Sequence, residues 1–323
     1  DRMINLDGGG ETTTGISAAG GCNVYIHKDI EWVRNEKPTY RLDITGLTGG
    51  HSGGQIHLEK GNAIVIAARV IEEAIAAGMD FELVGFNGGE KDNAIPRLAE
   101  VQFVSSADAE DICAAVKESE KNIRTELEFS DPDVKITVKP ITAPVKVMDE
   151  KTSNAVIDYA YLMPNGFLHK SMVIENLTVT SLNLGVVTTN DKEVFYDILI
   201  RSAMDHATDD VKDRLHVLAE LLDMRFELAG RYAGWNYEPV SPMRDLMKSV
   251  VEKRGNEYKE FAVHGGCECG VFKALNPKLD ILTFGPIGSG AHTPEEKLDL
   301  ASFDRSYEML KEMVSTYVEK KQG

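Results

Sequence analysis

Apolar positions along this chain alternate between strand spacing and helical spacing, and that rhythm sets out its elements. Two strand-like runs come first, Asn23–His27 and Tyr40–Thr45, joined by a charged connection with Pro38. From Gly61 to Ala77, Ile64, Ala68, Ile71 and Ile75 share one helical stripe, and Gly78 follows as a stop. Phe81–Phe86 and Glu100–Ser105 read as strands. Ala107 to Leu127 reads as a helix with Ile112, Val116, Ile123 and Leu127 inward, and Val134–Lys139 as a further strand. This β-α-β-β-α-β order predicts an open-faced sandwich, with helices on one side of a mostly antiparallel sheet.

A more diverged version follows. It has a helix over Asn154–Tyr161, a turn over Met163–Phe167, strands near Leu177–Ser181 and Val194–Arg201, and a helix over Asp209–Leu222. From Trp235 the style changes to a helix (Met243–Arg254), two short strands (Phe261–Val263 and Ile281–Phe284) and a terminal helix. The terminal helix is expected to pack through Phe303, Tyr307, Leu310, Val314 and Val318. Ile4 to Asp7 reads as a strand ending in an acid, as though the chain starts inside a domain. The expected class is α/β, with one domain built from residues 1–20 and 235–323. Residues 21–234 would form an α+β domain of two related halves that interrupts it.

Composition narrows the function classes. Against 35 basic side chains stand 52 acidic ones, a formal net charge of −17, which argues against a nucleic-acid or anionic-membrane surface. No stretch approaches the length of a membrane span. The 4 cysteines are too few and scattered for a disulfide framework and read as reduced thiols in a cytoplasmic protein. Cys267-Glu268-Cys269 with His264 invites a zinc reading, but the spacing is wrong for a ribbon or finger and favours buried thiols.

The candidate chemistry lies in glycine-framed turns. His51 sits in Gly49-Gly50-His51-Ser52-Gly53-Gly54, and Asn93 in the turn from Asn87 to Arg97. Glycine pairs let a ligand approach the backbone, so both side chains look presented. His51 suits hydrogen-bond donation to a substrate carbonyl and its developing oxyanion, and Asn93 could add amide contacts. His292, in Gly290-Ala291-His292-Thr293-Pro294, suits a metal ligand and reads equally as a surface histidine beside a helix cap. Asp7 is a second candidate ligand or an ordinary Asp-Gly turn residue. Arg201 ends a strongly apolar strand; it suits a substrate carboxylate, or is a surface strand end.

Together these segments carry a resemblance. Gly49–Gly54 with Gly61-Asn62-Ala63, Asn87–Arg97, Leu162–Gly166, Val179–Gly185, Ala233–Trp235, His264–Phe272 and Gly285–Lys297 run along nearly the whole chain in one family's order. The chain resembles the bacterial aminoacyl-histidine dipeptidases (Xaa-His dipeptidases, carnosinase-like) of the di-zinc exopeptidase superfamily. The resemblance implies a zinc-binding α/β catalytic domain interrupted by a lid, and hydrolysis of a dipeptide substrate. By matching motif, Asp7 and His292 would be zinc ligands. His51, Asn93 and Arg201 would contact substrate from the lid, and Glu268 would join the site.

Such enzymes are often homodimers, although two lid halves in one chain could supply His51 and Arg201 to the same site without a second copy. The family's His-x-Asp motif, bridging aspartate and Glu-Glu pair are not in this sequence, and Gly8-Gly9-Gly10 stands where members carry an acidic run. The chain is therefore expected to be the lid plus the C-terminal part of the catalytic domain, with little hydrolysis of its own. The alternatives are a non-catalytic peptide-binding or assembly module, and a related exopeptidase or amidohydrolase with another substrate.

Overall fold

The computed structural model describes residues 1–142, 144–291 and 293–322, the last three of these by backbone alone. Its largest feature is a nine-stranded sheet in which two four-stranded β-α-β-β-α-β units lie edge to edge, the ninth strand, Gly166–Lys170, pairing antiparallel with Thr178–Thr189. In the first unit the strands are Thr39–Thr45, Glu82–Gly88, Ala99–Val104 and Lys135–Ile141, with helices Ala63–Ala76 and Ala109–Glu126. Their spatial order is last, first, third, second, and every neighbouring pair is antiparallel.

The second unit repeats that order with strands Gly20–Asp29, Thr178–Thr189, Glu193–Ser202 and Arg225–Tyr232 and helices Glu150–Leu162 and Asp205–Leu221. The units meet through their second strands, where Val187 stands opposite Gly88. On the helical side, Ala63–Ala76 packs on Glu150–Leu162. Because the second unit's first strand is Gly20–Asp29, the first unit is threaded into the second between its first strand and first helix.

Local sequence explains these elements. In Thr39–Thr45, Tyr40, Leu42 and Ile44 are buried while Arg41, Asp43 and Thr45 are partly open, the period of a sheet with one covered face. Helix Ala63–Ala76 buries Ile64, Ala67, Ala68, Ile71 and Ala74. Its first free N–H groups are capped by the Asn62 side chain, which accepts from Ile64 N at 3.0 Å and Val65 N at 3.3 Å. The same Asn62 amide donates to the Leu184 carbonyl at 2.9 Å, tying the helix start to the second unit.

A smaller core lies outside the large sheet. Arg2–Asn5 pairs in parallel with Asp280–Thr283, and Thr13–Ala18 in parallel with Lys259–Val263. Helices Pro242–Lys253 and Leu300–Gln322 cover them through Met243, Met247, Val250, Met309 and Met313, against Phe284. Parallel strands covered by helices give this part its α/β character. Trp235 and Ala18 exchange two backbone hydrogen bonds of 2.9 Å where this core adjoins the sheet.

Several expectations shift. The first strand ends at Asn5, leaving Asp7 two residues beyond it. Thr178–Thr189 is much longer than the run near Leu177–Ser181, and the strands Thr13–Ala18 and Arg225–Tyr232 had no counterpart in the sequence reading. Of the expected stripe on the terminal helix, Leu310 packs against the smaller core, whereas Phe303 is 52% exposed, Tyr307 57%, Val314 47% and Val318 44%. The helix turns Ser302, Ser306, Met309 and Met313 inward instead. Two serines bring the helix backbone close to the core and two flexible methionines fill the gap, a pattern that large-residue periodicity overlooks.

Candidate functional site

The His51 loop is held at both ends by one carboxylate. Fully buried Asp131 accepts from Thr48 N at 2.7 Å, Thr48 Oγ1 at 2.8 Å and Gly61 N at 2.7 Å. Gly49 is left-handed (φ 62°), and a Cβ there would lie 2.4 Å from Arg97 Cγ, so the turn requires glycine. Gly50 and His51 then pair antiparallel with Ile95 and Ala94, and Ser52 N donates to the Asn93 carbonyl at 2.9 Å. The two glycine-framed turns picked out in the sequence are thus a single piece of structure.

The His51 ring has a defined tautomer. Its Nδ1 accepts from Gly53 N at 3.1 Å and Gly54 N at 3.0 Å, which leaves the proton on Nε2. Burial and the charge of Arg201 hold its pKa below the ordinary histidine value. His51 therefore presents a neutral imidazole with one outward N–H donor. Asn93 is exposed beside it. Its turn is fixed to the second unit by Asn183 Nδ2, which donates to the Asp92 and Ala94 carbonyls at 2.8 and 2.9 Å.

Arg201 is no surface strand end, for it is only 8% exposed. It stands on the second unit between Ser181 and Gly21 as cross-strand neighbours. Its Nη1 donates weakly to the Tyr232 hydroxyl at 3.4 Å, and Nε has no hydrogen-bond partner among the described residues. No carboxylate forms an ion pair with it among the described residues. A guanidinium buried without a counter-charge is costly, and it prepares a place for an anion.

His264, which the sequence offered only as part of a doubtful zinc cluster, belongs here. It follows the Lys259–Val263 strand of the smaller core, is buried, and places Nε2 at 2.7 Å from Ser181 Oγ. Its pKa is pushed down to about 4, first by burial, then by the charges of Arg201 and His57, with the Thr178 backbone acting weakly the other way. His51, His57, Leu177, Thr178, Val263 and His264 line one cleft of about 440 Å³.

An adjoining cleft of about 400 Å³ shares Val263 and is lined by Asp7, Ser17, Trp235, Cys267 and Glu268. Asn5 Nδ2 donates to Glu268 Oε1 at 2.5 Å, and Asp7 N donates to Asn5 Oδ1 at 2.6 Å, so one amide organises both acids. That Asn5 hydrogen bond is the main reason the Glu268 carboxyl is held below the usual range. His292 lies outside the described residues. Among the described residues, no group of three or more His, Cys, Asp or Glu side chains could hold a metal ion. Asp7 and Glu268 do not make a metal shell by themselves, and Cys267 and Cys269 are free thiols.

A larger hollow of about 610 Å³ lies on the open face of the first unit. Its Arg41 is already bound to Asp43 at 2.7 Å and Glu100 at 3.0 Å, so that charge is spent within the sheet. Among the described residues no helix is long and apolar enough to cross a membrane. The structure thus brings His51 and Asn93 together, sets Arg201 near His51, and places Asp7 with Glu268 next door. The sequence reading gave no role to Ser181, Tyr232 or His57, and to His264 only the zinc-cluster reading.

Comparison with known proteins supports the fold. The peptidase dimerisation domain family matches residues 42–130, inside the first unit. The cytosol non-specific dipeptidase of Escherichia coli strain K12 is 32% identical over 318 residues, covering 97% of this chain and 65% of that protein. The crystal structure of aminoacylhistidine dipeptidase from Vibrio alginolyticus superposes with a TM-score of 0.91 at 29% identity, covering 98% of this chain and 65% of that one. This chain is a homologue of both and spans 65% of the length of each.

Proposed function

We propose that this chain, as a homologue of those dipeptidases, provides the lid and the C-terminal part of the catalytic domain of a metal-dependent dipeptide hydrolase. In this reading residues 21–234 are the lid, and residues 1–20 with 235–323 the catalytic part. The observation that carries it is the buried Arg201 of one lid unit, which has no ion-pair partner among the described residues and lies within electrostatic reach of His51 on the other, beside the cleft that holds Asp7 and Glu268.

Each role follows from the chemistry of the group. Arg201 binds the substrate's terminal carboxylate through parallel hydrogen bonds. The Nε2–H of His51 donates to the scissile carbonyl oxygen, where charge develops during attack. Asn93 adds amide contacts from the same turn, and Glu268 contacts substrate from the catalytic side. Asp7 and His292 each give a ligand to zinc. Catalytic zinc sites use three protein ligands, so these two do not complete a shell, and this chain alone is expected to hydrolyse little or nothing. Both lid units lie in one chain, so the His51–Arg201 pair needs no second copy. The dimerisation-domain match supports a homodimer formed on other grounds, and the E. coli relative's name supports a cytoplasmic setting.

The test is zinc content and hydrolysis of Ala-His and β-Ala-His by this chain, beside a form extended at its N-terminus from the same gene. Zinc and turnover in the extended form alone would support the reading. Neither in either form would sink it and leave a non-catalytic assembly module.

A further inference from the structure

His264 is carried by the smaller core, yet its ring is spent on the large sheet. It follows the Lys259–Val263 strand, which pairs with Thr13–Ala18, and reaches across to Ser181 on the second lid unit at 2.7 Å. Ser181 is the cross-strand neighbour of Arg201. The backbone of His264 also touches the first lid unit: a Cβ on Gly53 would lie 2.6 Å from its carbonyl oxygen, so the His51 loop rests on it. One residue therefore contacts both lid units and belongs to neither. The residue is 9% exposed.

We propose that His264 is a positioning residue that aims the Arg201 guanidinium at the substrate carboxylate, through Ser181, when the smaller core is docked on the lid. This rests on the proposed reading of Arg201 as the carboxylate anchor. A neutral imidazole accepts the Ser181 hydroxyl hydrogen bond and fills the space beside Arg201 without offering it a counter-charge. A carboxylate there would pair with the guanidinium and take it from the substrate. Docking of the catalytic part thus sets up the anion site, and withdrawal of His264 loosens it.

Calorimetric binding of Ala-His and of its C-terminal amide to the 323-residue chain tests this. Wild type should prefer the free acid by about tenfold or more. His264→Ala should bring that preference to within about threefold, and His264→Gln, whose amide oxygen can accept from Ser181, should restore part of it. A merely structural role would lower the urea midpoint and leave the acid-to-amide ratio of the folded protein unchanged. Ser181→Ala removes the contact from the other side and should lose the preference too, which decides the matter if His264→Ala does not fold. Retention of the wild-type ratio by Ser181→Ala and a folded His264 variant would overturn the inference while leaving Arg201 as anchor. No preference in wild type would overturn the anchor reading, and the inference with it.

Discussion

The charge of Arg201 reaches His51 and, after burial, helps hold its imidazole neutral. The two residues are 150 positions apart in the sequence and stand on separate β-α-β-β-α-β units. On the proposed reading, a neutral donor within electrostatic reach of a buried cation suits a substrate whose carbonyl and carboxylate lie a short distance apart.

Replacing Arg201 with Met should move the His51 pKa part of the way back toward 6.5, since burial stays in force when the charge goes. NMR titration of the His51 ring would show the shift. An unchanged titration would mean the guanidinium charge does not reach the ring.

His264 makes stability depend on pH with a definite sign. Its folded pKa of about 4 lies below the ordinary 6.5, so on acidification the unfolded chain takes up the proton first. Above about pH 6.5 the group is neutral in both states and adds no pH dependence. Between 6.5 and 4 it progressively favours unfolding, by about 2 kcal/mol between pH 7 and pH 5. Urea denaturation at those two pH values should show wild type losing about that much more than His264→Gln.

Asp131 joins the two ends of the His51 loop through three hydrogen bonds while fully buried. Asp131→Asn puts an amide group among the same donors and should cost about 3 kcal/mol in urea denaturation. Backbone amides of residues 48–55 should exchange faster in the variant. Unaltered exchange would show that the loop is held by other contacts.

The seam between the two β-α-β-β-α-β units depends on Gly185. A Cβ there would lie 2.5 Å from Asp92 Cα and 2.8 Å from the Asp92 and Lys91 carbonyl oxygens, all backbone atoms that cannot yield cheaply. Gly185→Ala should cost about 2 kcal/mol or more and open the Asn93 turn to limited proteolysis. A wild-type cleavage pattern and midpoint would count against so tight a seam.

On the proposed reading, His51→Ala in the N-terminally extended form should lower kcat by about 10²–10³ with a smaller effect on KM, as expected for a donor that matters most in the transition state. Equal loss in KM and none in kcat would make His51 a substrate-binding residue only.

The sequence by itself determined the elements whose burial is one-sided. The stripe on Ala63–Ala76, the alternation in Thr39–Thr45 and the β-α-β-β-α-β order of the first unit were all legible, because periodicity reports which face of an element is covered. The glycine-framed His51 and Asn93 turns were legible too, since left-handed backbone and close approach leave a mark in residue type. Periodicity does not report what covers a face, and that the tertiary structure decided. Gly20–Asp29 belongs to the second unit although the first unit separates it from its partners, so the nesting was hidden in chain order. Arg225–Tyr232 is an edge strand with no buried position and left a weak pattern. Arg201 looked like a strand end until the Gly20–Asp29 strand closed over its flank, and His264 looked like a loop histidine until Ser181 met its ring. Burial and partner are properties of the assembled sheet. For residues 83 or 150 positions apart they are fixed only when the strands that carry them come together.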